Sequence, residues 1–275
     1  MKTSDCRFGD TETMGDFLSL WLEKPLLDAE YQKIFETYYH SYKRSFGARM
    51  RASYSEQIGE TLALVRSNPG SRVLEVGFGL GTESLWLAMH GAHVLAIDIL
   101  GDFRDVAQRR KALLEDNLGR PLHCEFRRVS VMDLEDDGFD VIWMEQTFHH
   151  LEPRDRVIDK IVSLVKPGGY IVISEANALN LLLQLQLFIA RGFNMYFTHV
   201  DEDGKEILIG RERIVTARYL RAAFGRRRVR CRSIRYFRVF PNRPIFDGLG
   251  RLERWLARNC LAPLQAQFNY VGQRE

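Results

Sequence analysis

The residues best suited to chemistry stand in one run, Val73-Leu74-Glu75-Val76-Gly77-Phe78-Gly79-Leu80-Gly81-Thr82. A short apolar stretch ends around a carboxylate, glycine then takes every second position, and a helical pattern follows. Glycine reaches positive φ and lets the backbone approach a ligand closely. A second carboxylate closes the next apolar stretch, Leu95-Ala96-Ile97-Asp98. A carboxylate at a strand end can take both hydroxyls of a ribose, and strand ends are where open α/β sheets bind their ligands. A nicotinamide dinucleotide site asks for GxGxxG, whereas this turn is GxGxG with an acid two residues before the first glycine. A phosphate loop asks for GxxxxGK followed by Ser or Thr, and the lysine is missing. The second chemical cluster is Glu145-Gln146-Thr147-Phe148-His149-His150. Histidine changes charge near neutral pH, so His149 or His150 can act as a general base. His149 is preferred; the competing role for either is to cap or pack the helix that follows.

The elements that must position these groups alternate along the chain. Apolar runs at 71–76, 93–97, 123–130, 140–144 and 170–174 read as strands. Helical patterns fill 81–90, 102–118 and 155–165, the last with apolar residues at Val157, Ile158, Ile161, Val162 and Val165. Lys166-Pro167-Gly168-Gly169 reads as a turn. Strands alternating with helices predict a parallel sheet covered on both faces. Before this core, 28–66 read as two helices rich in Tyr and Phe. After it come an apolar helix at 179–190, a polar hairpin-like stretch at 201–205 and a helix at 216–224. A strand at 229–240, a helix at 246–259 and a final strand at 265–272 complete the pattern.

The ordered set of motifs resembles the class I S-adenosylmethionine-dependent methyltransferases. Their acidic-x-Gly-x-Gly-x-Gly turn is EVGFGLG here. The acid after the second strand is in AIDIL, and the acid after the third is in SVMDLEDDGFD. FDVIWMEQTFHHL fits the fourth strand and its turn, and LVKPGGYIVISEAN fits the fifth. The resemblance runs from about Ser71 to Asn177 plus the closing strands. It implies an α/β fold: a seven-stranded, doubly wound, mostly parallel sheet whose last strand is antiparallel, with a helical lid. It implies a lid over 1–66 and a core over 67–275 with a helical insertion at about 178–215. It implies S-adenosyl-L-methionine as cofactor. Gly77, Gly79 and Gly81 would pack against its methionine part and Glu75 would help hold its amino group. Asp98 would bind the ribose and Ile99 would lie on the adenine. Met132 and Asp133 would meet the adenine edge, and Glu145 joins the cofactor set. Asp133 competes with a plainly solvated acidic loop, since Glu135, Asp136 and Asp137 are beside it.

Methyl transfer from a sulfonium asks mainly for alignment, and for a base only where the acceptor loses a proton. His149 is therefore the expected catalytic residue. Some relatives that methylate quinol-type hydroxyls carry Glu-x-x-Glu-His here and bind a divalent metal. Glu145 and His149 keep that spacing, but Phe148 replaces the middle carboxylate, so no metal is expected. Tyr38, Tyr39, His40 and Asn177 are the expected acceptor-side residues, although an aromatic stripe at helical spacing also reads as core. The leucine-rich helix is expected to be a buried lid, because its apolar residues go nearly all round; an acceptor pocket or an interfacial membrane helix are the alternatives.

Composition agrees with an ordinary globular chain: 275 residues, 45% hydrophobic, 27% charged, net charge +3. That sum hides an asymmetry. The segment 205–243 holds 13 basic residues against Glu206 and Glu212, a net +11, which leaves −8 on the remainder. A solvated basic face, attraction to an anionic lipid surface or anionic substrate, and nucleic-acid binding all fit such a segment. Nucleic acid is disfavoured because no separate RNA-binding module is evident. Cys6, Cys124, Cys231 and Cys260 lack metal spacing and read as reduced thiols. With no signal-peptide core and no apolar run of transmembrane length, a cytoplasmic protein is expected. The expected function is S-adenosylmethionine-dependent methyl transfer to a small or lipid-like acceptor, at oxygen first, with nitrogen and carbon open. A nicotinamide-dependent oxidoreductase and a catalytically silent cofactor-binding protein are the alternatives.

Overall fold

The computed structural model describes residues 8–200 and 204–275. Cys6 and residues 201–203 of the expected polar hairpin lie outside the described residues. The chain divides into two compact units: everything up to Arg128 with Phe240–Arg251, and Val129–Val239 with Leu252–Glu275.

The first unit opens with four helices, α1 (Met14–Glu23), α2 (Ala29–Tyr38), α3 (His40–Arg44) and α4 (Ala48–Ser67). Then come β1 (Arg72–Val76), α5 (Thr82–Met89), β2 (His93–Asp98), α6 (Gly101–Leu118) and β3 (Cys124–Arg128). Thr13 starts α1 by accepting the Asp16 amide hydrogen on its hydroxyl. The strands pair in parallel, Glu75 opposite Ala96 and Leu95 opposite Glu125. Two helices were expected over 28–66, but the chain breaks at Tyr39 and again before Ala48, giving three. The N-terminal aromatics are core: Phe8, Phe17, Trp21 and Phe35 are buried and their rings run on to Trp86 of α5. Burying one such side chain contributes on the order of 1.5–3 kcal/mol.

The second unit contains β4 (Phe139–Glu145), α7 (Arg154–Leu164), β5 (Val165–Ala176), α8 (Leu181–Arg191), β6 (Tyr196–Val200), β7 (Glu206–Gly210), α9 (Ala217–Gly225) and β8 (Val229–Phe237). It closes with β9 (Gln267–Arg274), and α10 (Gly250–Leu256) precedes that strand. The seven larger strands form one sheet in the order β3-β2-β1-β4-β5-β9-β8, while β6 and β7 make a separate hairpin. β4 and β5 are parallel; β9 runs antiparallel to both β5 and β8. Ile142, Trp143 and Met144 of β4 and Ile171, Val172 and Ile173 of β5 are all buried, as strands covered on two faces require.

Three details differ from the sequence reading. Lys166–Gly169 does not separate helix from strand; it bulges inside β5, where pairing jumps from Phe139–Val165 to Val141–Tyr170. The helix expected over 246–259 is shorter, a 3-10 stretch at Pro244–Leu249 leading into α10. The leucine-rich helix α8 is not a buried lid. None of its residues is buried, and Leu181, Leu182 and Ile189 are 79%, 80% and 75% exposed. Its hydrophobicity is real, but no described segment packs over that face. The basic segment behaves as a solvated edge. β8 is the terminal strand of the sheet, and a bulge between Cys231 and Ser233 keeps Arg230, Arg232 and Arg235 all exposed. Charges of this kind blunt an open strand edge.

Candidate functional site

In the first unit the glycine turn links β1 to α5. Gly77, Gly79 and Gly81 all have positive φ, at 82°, 50° and 73°. A Cβ at Gly81 would lie 2.8 Å from the Phe126 ring and 3.0 Å from Ala107 Cβ. A Cβ at Gly79 would collide with the Tyr38 hydroxyl, which stands over the turn. Asp98, at the end of β2, ties the turn to its own strand. Its Oδ2 accepts the Gly79 amide hydrogen at 3.1 Å and its Oδ1 accepts that of Leu100 at 3.1 Å. Burial raises the Asp98 pKa above the ordinary carboxylate value, and these amide donors oppose the rise. An ionised carboxylate offers about four acceptor positions, so the amides of Gly79, Ile99 and Leu100 leave room for a further donor. Ile99, next in the chain, is half-exposed. Glu75 is buried and accepts a hydrogen bond from the Ser84 hydroxyl.

The turn has a support that the sequence reading missed. Arg110 of α6 is fully buried and donates from Nη1 to the Leu80 carbonyl at 2.6 Å and the Thr82 hydroxyl at 2.7 Å. Its guanidinium lies against the rings of Trp21 and Phe35, 4.5 and 5.1 Å from their centroids. Tyr39 reaches the same Thr82 hydroxyl at 2.5 Å. The signal was available: Arg110 shares a helical face with the buried Val106, Ala107 and Leu114.

Of the residues expected on the acceptor side, Tyr38 lies at the turn, Tyr39 is buried in its support, and His40 is exposed on a groove with Lys33 and Glu36. Asn177, in the second unit, is fully buried. Its amide donates to the carbonyls of Ala262 and Gln265 at 2.8 and 2.9 Å, and its oxygen accepts the Leu179 amide hydrogen at 3.1 Å. Those bonds brace the exit of β5 and occupy the side chain.

In the second unit Met132 and Asp133 form a single 3-10 turn started by Ser130, whose hydroxyl accepts the Met132 amide hydrogen at 3.3 Å. Asp133 is exposed and paired with Lys205 at 2.5 Å. Glu145 ends β4, half-exposed, and its carbonyl accepts the Thr147 hydroxyl hydrogen at 2.8 Å.

The densest polar cluster follows β4. His149 is 3% exposed, and its Nδ1 lies 2.7 Å from Oε2 of Glu175, while its backbone amide donates to the other Glu175 oxygen at 3.2 Å. Its Nε2 lies 3.7 Å from Glu212. Burial alone would lower the His149 pKa; the carboxylates of Glu175 and Glu212 overcome it and hold the pKa above the ordinary histidine value. His150 packs its ring 4.0 Å from that of His149 and bonds through Nδ1 to the Gly210 carbonyl at 2.8 Å. Burial and the neighbouring His149 lower the His150 pKa. A histidine held by a buried carboxylate at Nδ1 presents Nε2 as a general base. Glu175 and Glu212 were not singled out from sequence. Glu175 had a signal, as the acid ending the apolar run YIVIS; Glu212 had none, because a separate hairpin brings it to the histidines.

Residues 74–173 match a family model described as a methyltransferase domain. Demethylmenaquinone methyltransferase of Clavibacter sepedonicus is 34% identical over 134 residues, 48% of this chain and 49% of that protein. Ubiquinone biosynthesis O-methyltransferase of Xylella fastidiosa (strain M23) is 32% identical over 111 residues, 39% of this chain and 43% of that protein. The chain thus spans about half the length, or less, of these curated relatives. The crystal structure of magnesium protoporphyrin IX methyltransferase from Synechocystis PCC 6803, with bound SAH, superposes with a TM-score of 0.56 at 16% identity. It covers 89% of this chain and 100% of that one. At that identity the likeness is one of fold.

Proposed function

We propose that residues 74–173, which match a methyltransferase-domain model, act as a class I S-adenosylmethionine-dependent methyltransferase, and that the protein methylates a hydroxyl of a small, apolar acceptor. The observation that carries the reading is the turn in which three glycines take positive φ and the Asp98 carboxylate holds the central amide. The turn suits S-adenosylmethionine: its three glycines carry the backbone through positive φ at the end of β1, and a partly open carboxylate stands beside it. When bound, S-adenosylmethionine supplies a methyl group activated by sulfonium.

The chain's own residues then divide the work. Gly77, Gly79 and Gly81 give the methionine part a backbone surface, and Glu75 helps to hold its amino group. Asp98 accepts the ribose hydroxyls and Ile99 covers the adenine. Met132 and Asp133 take the adenine edge, with Lys205 releasing Asp133 as they do so; an exposed pair of this kind is worth about 0–1 kcal/mol. Glu145 belongs to the same set. His149 receives the acceptor's proton at Nε2, and Glu175 fixes the ring through Nδ1. Alignment supplies most of the rate, since effective molarities for well-oriented groups are on the order of 10⁵ M or more.

Support for an apolar acceptor comes from α8 and the turn after it, where Leu182 and Phe193 stand 80% and 89% exposed. The names of the two relatives above print demethylmenaquinone and ubiquinone biosynthesis, and a hydroxylated, apolar acceptor of that kind fits the same surface. The apolar face of α8, with the basic segment after it, also suits peripheral contact with an anionic membrane. The test is incubation with S-adenosylmethionine and a panel of catechol- and quinol-type hydroxyls, read by mass spectrometry. A one-methyl mass gain on at least one acceptor is expected. Tight S-adenosylhomocysteine binding with no acceptor methylated would point instead to a silent binding protein.

A further inference from the structure

The imidazoles of His149 and His150 and the carboxylate of Glu212 place three donor atoms within 4.8 Å of one another. His149 is buried and the other two are half-buried, so the cluster is open on one side. The hydrogen bonds behind the rings determine which nitrogen faces the cluster. The Gly210 carbonyl can only accept, so His150 Nδ1 carries the hydrogen and Nε2 of its neutral ring carries the lone pair. Glu175 likewise accepts from Nδ1 of His149 and turns Nε2 of that ring toward Glu212. Metal-binding histidines are held this way, the second ring nitrogen donating to a carboxylate or a backbone carbonyl.

From this geometry we propose that His149 Nε2, His150 Nε2 and the Glu212 carboxylate form a binding site for one divalent transition cation of the zinc type. Three donors at about 2.1 Å from one centre stand roughly 3.4 Å apart in tetrahedral geometry. The His149–Glu212 separation of 3.7 Å is already near that value, and no pair in the cluster, all within 4.8 Å, needs more than about 1.4 Å of closure. Two imidazoles and a carboxylate prefer zinc-like cations to magnesium or calcium, which favour all-oxygen sites. Charge agrees: the buried Glu175 and the half-buried Glu212 put two carboxylates beside His149, against the single guanidinium of Arg154. Glu145, which shares a spacing with His149 in sequence, is not one of the three donors. The remaining positions around the cation are left for water or an oxygen ligand, as in sites that keep three protein ligands.

A cation held by His149 Nε2 takes the lone pair that the base role uses, so the two roles are alternatives for that atom, and His150 separates them. A base at His149 has no need of His150, whereas a cation does. The test is calorimetric titration of the full chain, stripped with chelator, with Zn²⁺ alone and in parallel with Mg²⁺. His150→Gln and Glu212→Gln serve as variants, with circular dichroism and S-adenosylhomocysteine titration on the same samples to report folding. One equivalent of Zn²⁺ per chain is expected, with Mg²⁺ at least a hundredfold weaker and each variant at least tenfold weaker for Zn²⁺ while still folded. Absence of Zn²⁺ binding, or binding that both folded variants retain, would overturn the proposal. Retained S-adenosylhomocysteine binding in that event would leave the proposed function standing.

Discussion

Replacing Gly81 by alanine tests the glycine turn as a piece of mechanics. At φ +73° an L-residue in the left-handed region costs about 1–2 kcal/mol. The new methyl would stand 2.8 Å from the Phe126 ring and 3.0 Å from Ala107, and overpacking of that order costs about 1–3 kcal/mol. The stiffer unfolded chain returns roughly 0.4–1 kcal/mol. The net expectation is a loss of about 1–4.5 kcal/mol, centred near 3. Gly91→Ala is the control: φ is +91° there too, but nothing lies within 4 Å of its Cβ, so only the backbone cost applies, about 1 kcal/mol after the same offset. Urea unfolding at constant slope measures both. If Gly81→Ala costs no more than Gly91→Ala, the packing argument at the turn is wrong.

Asp98 must be ionised to accept a ribose diol, and burial raises its pKa. S-adenosylhomocysteine affinity should therefore fall on acidification at a pH above that where an ordinary aspartate protonates, and the fall should vanish in Asp98→Asn; the same pH profile in that variant would exclude Asp98 as its source. Lys205→Met frees Asp133 from its surface pair and should raise cofactor affinity by up to about fivefold; a loss of affinity would give Lys205 a role of its own. Asn177→Ala orphans two carbonyls and one amide and should cost about 2–4 kcal/mol in unfolding; unchanged stability would refute the bracing role. Glu175→Gln should lower turnover by roughly 10–100-fold with cofactor affinity intact; unchanged turnover would remove Glu175 from the acceptor side. The chain should co-sediment with anionic vesicles at low salt and lose that in Leu182→Asp/Ile189→Asp; indifference of the wild-type chain to the vesicles would end the membrane reading.

The sheet was legible because its signals are local. β1, β2, β4 and β5 each carry a short apolar core next to glycine, a carboxylate or a turn, and such cores depend little on what packs above them. The glycine turn was legible for the same reason, since φ near +50° to +80° demands glycine at those positions. What stayed hidden depends on distant pairing. Glu212 meets His149 from 63 positions along the sequence numbering, through a hairpin whose register no local pattern fixes. Arg110 looks like one more surface arginine until the aromatics of α1 and α2 close over it. The leucine-rich α8 reads as buried because hydrophobicity measures the side chain and not its neighbours. Asn177 was placed at the acceptor by its position after β5, but its amide has carbonyl partners 85 and 88 residues away.

The central claim is that the turn at Gly77–Gly81 and the carboxylate of Asp98 bind S-adenosylmethionine. Isothermal titration of the full chain with S-adenosylhomocysteine and, separately, with NAD⁺ tests it most directly. The account predicts saturable binding of S-adenosylhomocysteine, no binding of NAD⁺, and at least tenfold weaker S-adenosylhomocysteine binding in folded Asp98→Ala. Binding of NAD⁺ in its place, or S-adenosylhomocysteine affinity unchanged by Asp98→Ala, would contradict it.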